Sequence, residues 1–467
     1  MSGLDELTRE ELLSLVIRLD ETVQAQQKQI AELSAVVERQ AQRIAELEEE
    51  VARLRGGRPG SDLCIKPSVA KKEKGPRKKR KHSFARKNLA ADEVCVHAFD
   101  VCPDCGRKLS GGSVKWRHQV TDIPPIKAKV VDHWFVECYC GACGKRWTPD
   151  ASAVLAKVVD GKRNIGIGLM SLVAHLKTVC RMPVAQIRKL LETLLGVKIS
   201  AGSIVEILHA VAAIGTSEYD ELLQRVRGSP VAHGDETGWR ENGVNGYIWS
   251  LSNPEVRYYA YRHSRGSVVV EELLGDEFAG VLVTDFYAAY NTYDGMKQRC
   301  WVHLLRDLKA LVEKNPDLPE ISAWVNAVRD VYHRAKEAAK GTYTEYERGQ
   351  LRKRFESELL ALAQPYWKNA TAPERVLAER MQRFIGELFV FVQCPEVPSE
   401  NNAAERAIRS AVVARKISGG TRSPKGSNTA SILRSIFETW GLQGRNTLEA
   451  CQQMIVDANQ RALIATP

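Results

Sequence analysis

Long apolar runs are missing from this chain: nowhere do the ~20 uninterrupted apolar residues that a membrane span needs occur together. The opening residues, MSGLDELTREELL, show neither a basic leader nor a small-residue cleavage site, so secretion is not expected. Those two absences point to an intracellular protein, whose eleven cysteines would be reduced and free to bind metal. Acidic charge is scarce in one place. Between Lys66 and Lys87 a single acid, Glu73, faces eleven Lys and Arg, so this stretch alone carries the formal excess of +10 and the rest is about neutral. Its densest part is Arg77, Lys78, Lys79, Arg80 and Lys81. Such a cluster binds polyanions by releasing counterions condensed on phosphate. A solvated linker or a nuclear address would have the same composition, so the cluster does not decide function.

What is present is ordinary for a globular protein: 44% hydrophobic and 27% charged residues in 467, room for roughly three domains. Residues 12–54 carry a heptad, with Val16, Val23, Ile30, Val37, Ile44 and Val51 at a. Leu12, Leu19, Gln26, Leu33, Gln40, Leu47 and Leu54 stand at d. β-Branched a and mostly Leu d favour a parallel two-stranded coiled coil, hence a homodimer or higher oligomer, over one long helix packed on its own chain. Gly56, Gly57, Pro59 and Gly60 end that helix. The boundaries that follow are a coiled coil over 1–56 and a basic linker over 57–93.

Two CxxC knuckles come next, Cys102 with Cys105 and Cys140 with Cys143, each followed by a glycine that permits a tight turn. Four thiolates suit a structural Zn²⁺ site in a module over 94–155, although 34 residues separate the knuckles and Cys138 competes as a ligand. The interval, with Trp116, Val130, Val131 and Trp134, reads as strand-rich. Residues 160–228 read as helical, with helices near Gly168–Val179, Ala185–Leu195 and Ser203–Ala213. Ser203 and Glu206 form an S-x-x-E capping box on the third. The order permits a helix-turn-helix, but SIVEILHAVAA is apolar, which favours packing over base reading.

After Pro230 the pattern becomes strand, strand, strand, helix, strand, the opening succession of an RNase H-like core over 229–314. A right-handed crossover sets the fourth strand beside the first. Asp235 is expected at the end of the first strand and Asp285 at the end of the fourth. A pair of carboxylates can hold hard Mg²⁺ ions for in-line phosphoryl transfer, and a third usually completes the set. The candidates are Glu405, Glu400 and Glu438. Pro398, Ser399, Asn401 and Asn402 mark a helix start, placing Glu405 in its first turn near Arg406 and Arg409. Those arginines, with Arg415 and Lys416, are candidate phosphate clamps. A plain surface acid paired to Arg409 at i, i+4 fits the same spacing. Residues Pro319–Val392 read as helices, within an insertion over 315–396, with Trp324, Val328, Val331, Leu359, Leu360, Phe384, Leu388 and Phe389 as core faces. The last part of the core and C-terminal helices would occupy 397–467. Cys300 reads as packing. His303 and Trp301 are auxiliary candidates, His303 as a phosphate donor or a core histidine, and Glu236 and Thr237 flank the first aspartate.

The segments HGDETGW, TDFYAAYN, CWVHLLRDL, PSENNAAERAIR and RKISGGTRSPKG resemble the blocks of the insertion sequence 66 family of bacterial DDE transposases. The resemblance runs co-linearly over most of the chain and implies Asp235, Asp285 and Glu405 as the catalytic acids. It also implies an α+β multidomain enzyme that cuts at element ends and joins 3′-hydroxyls to target DNA. Two Mg²⁺ ions, which Mn²⁺ can replace, would serve it in a bacterial, nucleoid-associated cytoplasmic setting with accessory proteins of the same element. A zinc-containing DNA-binding regulator, or a nuclease that never joins strands, are the rival readings.

Overall fold

The computed structural model describes residues 90–123, 126–161 and 163–465, with scattered positions between Arg9 and Gln42. Those scattered positions are helical and exposed. The remaining heptad positions and the basic run Arg77–Lys81 lie outside the described residues. The chain divides into two compact units, Met1–Val120 and Thr121–Pro467.

In the first unit, CPDCG closes a tight turn: the Gly106 N–H donates to the Cys102 carbonyl at 2.9 Å, with Gly106 at φ 70°. An isolated bridge from Val101 to Lys108 flanks it. In the second unit CGACG repeats the turn, with Gly144 at φ 68° donating to the Cys140 carbonyl at 2.9 Å. There a small hairpin, β1 (Cys138–Tyr139) with β2 (Arg146–Trp147), frames the knuckle. The strand-rich interval does not form. Trp116, Val130, Val131 and Trp134 are all exposed, with no regular strand among the described residues between Ser110 and Glu137. A strand needs a partner edge and a core to cover one face, and these side chains have neither.

The helical region follows the expected order. Helix α1 (Ala151–Leu155) is short; α2 (Ile167–Thr178), α3 (Val184–Leu195) and α4 (Ala201–Ile214) fall within two residues of their sequence assignments. A further helix, α5 (Thr216–Arg227), leads to the sheet. The cap of α4 is not the expected one. Ser200, not Ser203, is the N-cap, its hydroxyl accepting from the Ser203 N–H at 3.0 Å. Gly196 ends α3 at φ 69°, so the chain re-enters helix three residues before the capping-box reading allows. Helix α4 buries Ile204, Ile207, Leu208, Val211 and Ala212 in the main core, so its apolar face is a packing face.

The sheet comprises β3 (Val231–Glu241), β4 (Val244–Ser252), β5 (Arg257–Arg262), β6 (Val281–Thr284) and β7 (Lys297–Arg299), with helix α6 (Ser267–Leu274) between β5 and β6. Strand order is β5-β4-β3-β6-β7, the first three antiparallel and the last two joined in parallel. This mixed sheet is compatible with the RNase H-like core expected from the sequence. It differs in two details. First, β3 continues past Asp235 to Glu241, because Asn242 (φ 49°) and Gly243 (φ 82°) make a two-residue reversal into β4 with both residues left-handed. Second, β7 stands between β6 and the helix carrying His303.

Helices cover both faces. On one side, Ala232 and Leu282 pack with α2, α4, α5 and α6. On the other, Val231, Val281 and Val283 pack with α7 (Trp301–Lys314) and the helical insertion. The insertion comprises α8 (Pro319–Ala338), α9 (Glu345–Ala363), α10 (Arg375–Arg383), α11 (Ile385–Leu388) and α12 (Val390–Gln393). The expected core faces hold: Trp324, Val328, Val331, Leu359, Phe384, Leu388 and Phe389 are buried, and Leu360 is half-buried. Helix α13 (Asn402–Ser418) lies on the same side against β3 and β4, with Ala407, Ile408 and Ala411 on Trp239 and Ile248. Helices α14 (Pro424–Leu442) and α15 (Thr447–Ala465) close the fold, α14 along β5. No described helix is long and apolar enough to cross a membrane.

Candidate functional site

The parallel ladder between β3 and β6 pairs Val231 with Val281, Ala232 with Leu282 and His233 with Val283. The offset is a constant fifty positions, and Asp235 and Asp285 each stand two residues beyond the last bridged pair, close enough for the Asp285 charge to act on the Asp235 carboxyl. Side chains two apart on a strand share a face. Asp235 therefore follows the face of Val231, which is the face that α7 and α13 cover, and Asp285 comes directly after the end of β6. Glu405 lies in the first turn of α13, as its sequence context implies.

The carboxylates feel one another. Burial, and then the neighbouring Glu236, Asp285 and Glu405, push the Asp235 carboxyl up to about 7, against one backbone N–H from Glu236 that lowers it. That N–H reaches Asp235 Oδ1 at 2.8 Å; Asp285 Oδ1 accepts from the Tyr287 N–H at the same distance. Glu405 Oε1 is buried without a hydrogen-bond partner, although His303 Nε2 stands 3.7 Å and Arg306 Nη2 3.8 Å from it. His303 Nδ1 is likewise buried and unpartnered. The i, i+4 pairing to Arg409 does not occur: Glu405 turns toward α7, and Arg409 is exposed. Among the described residues, no three His, Cys, Asp or Glu side chains are drawn into a cluster able to hold a metal ion. The chemistry of the donors nonetheless suits a hard cation, with an orphaned carboxylate oxygen and a neighbouring acid whose carboxyl is raised by burial and then by nearby negative charge.

The other two glutamates are engaged elsewhere. Glu400 accepts from Lys336 Nζ at 3.3 Å and Ser399 Oγ at 2.9 Å, tying α8 to the segment before α13. Glu438 accepts from Arg257 Nη1 at 2.8 Å on β5, two strands from β3. Glu236 faces the opposite side of β3, where Tyr290 donates at 2.6 Å and Arg265 at 2.7 Å. Thr237 Oγ1 accepts from Arg415 Nη1 at 3.2 Å, and the same guanidinium also donates to the Gly238 carbonyl. Arg415 is thus a clip between α13 and β3, while Arg406, Arg409 and Lys416 are exposed.

Trp301 is not placed at the site. It is fully buried, donates from Nε1 to the Leu388 carbonyl at 2.6 Å, and stacks on Tyr332 with ring centroids 4.8 Å apart. Cys300 packs as expected and accepts from the Asn401 N–H at 3.1 Å.

Sequence reasoning missed the residue that fastens Glu405 to the aspartates. Asn401, 1% exposed, does not cap α13 with its side chain. Its Nδ2 donates to the Gly234 carbonyl at 2.8 Å, which turns its Oδ1 toward His233 Nδ1 at 3.0 Å. That orientation makes His233 Nδ1 the protonated ring nitrogen. A buried Asn–His pair next to the first aspartate thus anchors the helix start. Arg299, fully buried, performs the same service on β7, donating to the Asp285 carbonyl at 2.8 Å and to Asn291 at 2.6 Å.

With the acids so arranged, the comparison with known families is decisive: residues 162–429 match the model of the Transposase IS66 family. The chain belongs to the IS66 transposase family. The matched stretch runs from the helical region to α14, so it contains both aspartates, Glu405 and the insertion. An uncharacterized protein, y4jO of Sinorhizobium fredii, is 32% identical over 187 residues, 39% of this chain and 54% of that protein. The chain thus spans about half the length of that curated relative.

Proposed function

We propose that this IS66 member is a DDE-type DNA transposase in which Asp235, Asp285 and Glu405 serve metal-dependent strand cleavage at element ends and transfer of the freed 3′-hydroxyl into target DNA. The observation that supports the reading is that the Asp235 carboxyl, on β3, feels the charges of both Asp285, just past β6, and Glu405, in the first turn of α13. The three acids would hold two Mg²⁺, or Mn²⁺ in their place. When bound, those ions would lower the barrier to attack at phosphorus by neutralising charge on the attacking and leaving oxygens.

The chain's own groups supply the rest. His303, with Nδ1 unpartnered and Nε2 toward Glu405, would donate to a phosphate oxygen. Exposed Arg406, Arg409 and Lys416 on α13 would engage the DNA backbone. The N-terminus of α13 adds a field that favours phosphate. Asn401 and Arg299 hold the acid-bearing segments without touching substrate.

Outside the catalytic core, the two knuckles have the local geometry of thiolate ligands. Backbone N–H groups of Cys105 and Asp104 lower the Cys102 thiol, and the Cys143 N–H does the same for Cys140. Cys102 with Cys105, and Cys140 with Cys143, would each offer a pair of thiolates to a structural Zn²⁺. The heptads would pair two protomers, which suits an enzyme that must hold two DNA ends, and Arg77–Lys81 would add DNA affinity. Accessory proteins of the same element complete the proposed partners, in a bacterial nucleoid.

Titration of Mg²⁺ and Mn²⁺ into the metal-free protein tests the acid assignment. Asp235→Asn, Asp285→Asn and Glu405→Gln should each weaken binding at least tenfold, and Glu400→Gln and Glu438→Gln should leave it unchanged. Loss of binding in Glu438→Gln but not in Glu405→Gln would overturn the third assignment.

A further inference from the structure

Helix α13 has a second polar destination beyond Glu405. Ser410, Ala414 and Ser418 line a cavity of about 250 Å³ closed by α2, α3, α4, α14 and the loop between α13 and α14. Its floor is apolar, from Val205, Leu208, Leu433 and the Trp239 ring. The charged side chains lining it are all cations, Lys177, Arg181, Arg422 and Arg434, and no carboxylate does so.

Arg434 is the informative one. It is 8% exposed, and its Nη1 is buried with no hydrogen-bond partner. The guanidinium rests over the Trp239 ring at 5.2 Å and the Tyr259 ring at 5.7 Å, which stabilises the charge but leaves that donor unmet. The acid one turn on, Glu438, is committed to Arg257 at 2.8 Å and to Arg181 at 3.6 Å. Arg181 Nε is a second buried, unpartnered donor, on a residue held at φ 59°, a strained backbone for any side chain but glycine. Ser423 caps α14 at the rim, accepting from the Gly426 N–H at 3.1 Å, so the positive end of a long helix opens beside these cations. Buried donors without acceptors are rare in folded proteins and call for an anion to meet them.

We propose that this cavity binds a phosphate group, held by Arg434, Arg181 and Lys177, with the apolar floor beneath whatever the phosphate carries. Two sources share that chemistry, a free phosphate-bearing nucleotide and a DNA backbone phosphate. The second rests on the transposase reading. Ser410 to Ser418 lie about 8–20 Å beyond Glu405 at ~1.5 Å per residue, a span of about two to six nucleotides of one strand. Arg434 and Lys177 would then position DNA at a distance from the cleaved bond, without touching it.

The test uses the full-length chain and the variants Arg434→Gln and Lys177→Gln. Melting is measured in sodium phosphate against sodium chloride at equal ionic strength, and the salt dependence of binding to a random-sequence duplex is measured by anisotropy. For a free phosphate, the wild type melts higher in phosphate and both variants lose that increment. For a DNA phosphate, each variant loses about 0.9 from the slope of log affinity against log salt. Variants that melt like wild type in chloride, yet show neither change, would overturn the proposal. Lys177→Gln, half-exposed, decides the matter if Arg434→Gln does not fold. None of these readouts needs catalysis, so failure of strand joining leaves them interpretable.

Discussion

Replacing Asn401 by alanine should separate placement of Glu405 from chemistry. The side chain is 1% exposed and makes two buried hydrogen bonds, to the Gly234 carbonyl at 2.8 Å and from His233 Nδ1 at 3.0 Å. Truncation leaves the His233 N–H facing a hole and withdraws a donor from Gly234. An unsatisfied buried polar group costs about 1–3 kcal/mol, and with some relaxation the two losses together should come to about 2–4 kcal/mol. Both bonds run between β3 and the residue before α13, so the loosened part is the register of Glu405 against Asp235. Denaturant unfolding followed by intrinsic fluorescence should show the stability loss. Strand joining should fall at least tenfold at a temperature where the variant is still folded. Asn401→Asp should also be impaired, since it keeps an acceptor for His233 but sets a carboxylate against the Gly234 carbonyl. Full activity in Asn401→Ala, with stability within about 0.5 kcal/mol of wild type, would refute the anchoring role.

Three further outcomes follow from the same geometry. Trp301→Ala should destabilise the insertion side of the core by about 3–5 kcal/mol, whereas His303→Ala should leave unfolding unchanged and reduce joining; the opposite pattern would return Trp301 to the site. Metal affinity should rise as pH increases from 6 to 8, because the Asp235 carboxyl, pushed up to about 7, must lose its proton to act as a ligand; a flat profile in a pH-stepped Mn²⁺ titration would contradict this. Gly420→Ala should cost at least about 2 kcal/mol and detach the SGGTR loop, since φ is 140° and a Cβ there would sit 2.0 Å from the Arg240 carbonyl; thermal melting gives the answer.

The parts of this molecule legible in sequence are those where one side of an element is apolar and the other is not. The helix at Val184–Leu195, which buries Ile187 and Leu191 and exposes its charged side, follows from that patterning. Strand β7 was invisible because KQR has no apolar residue; its Gln298 and Arg299 are buried by hydrogen bonds to Leu388, Phe391, Asp285 and Asn291 instead. The strand expected to end at Asp235 continues through two glycines, Gly234 and Gly238. They are small because Tyr290 and Arg415 approach them, at 3.0 and 3.2 Å from where a Cβ would stand, and the strand runs on. The aromatics between the knuckles suggested strands that find no partner. That Asp235 and Asp285 come near one another was readable from strand order. Glu405 needed the resemblance, because a first-turn glutamate near arginines has the same spacing whether it sits on a surface or in a site. Asn401 could have been suspected from the helix-start pattern, but its partners lie 167 and 168 residues away in sequence.

The most direct test of the account is joining of a labelled, precut element end to plasmid DNA in Mg²⁺, with the accessory proteins supplied. The wild type should produce joined product, while Asp235→Ala and Glu405→Ala should fail yet remain folded and bind DNA. Joining that persists undiminished in Asp235→Ala, or a wild type that binds ends but never joins them, would contradict the transposase reading of these three acids.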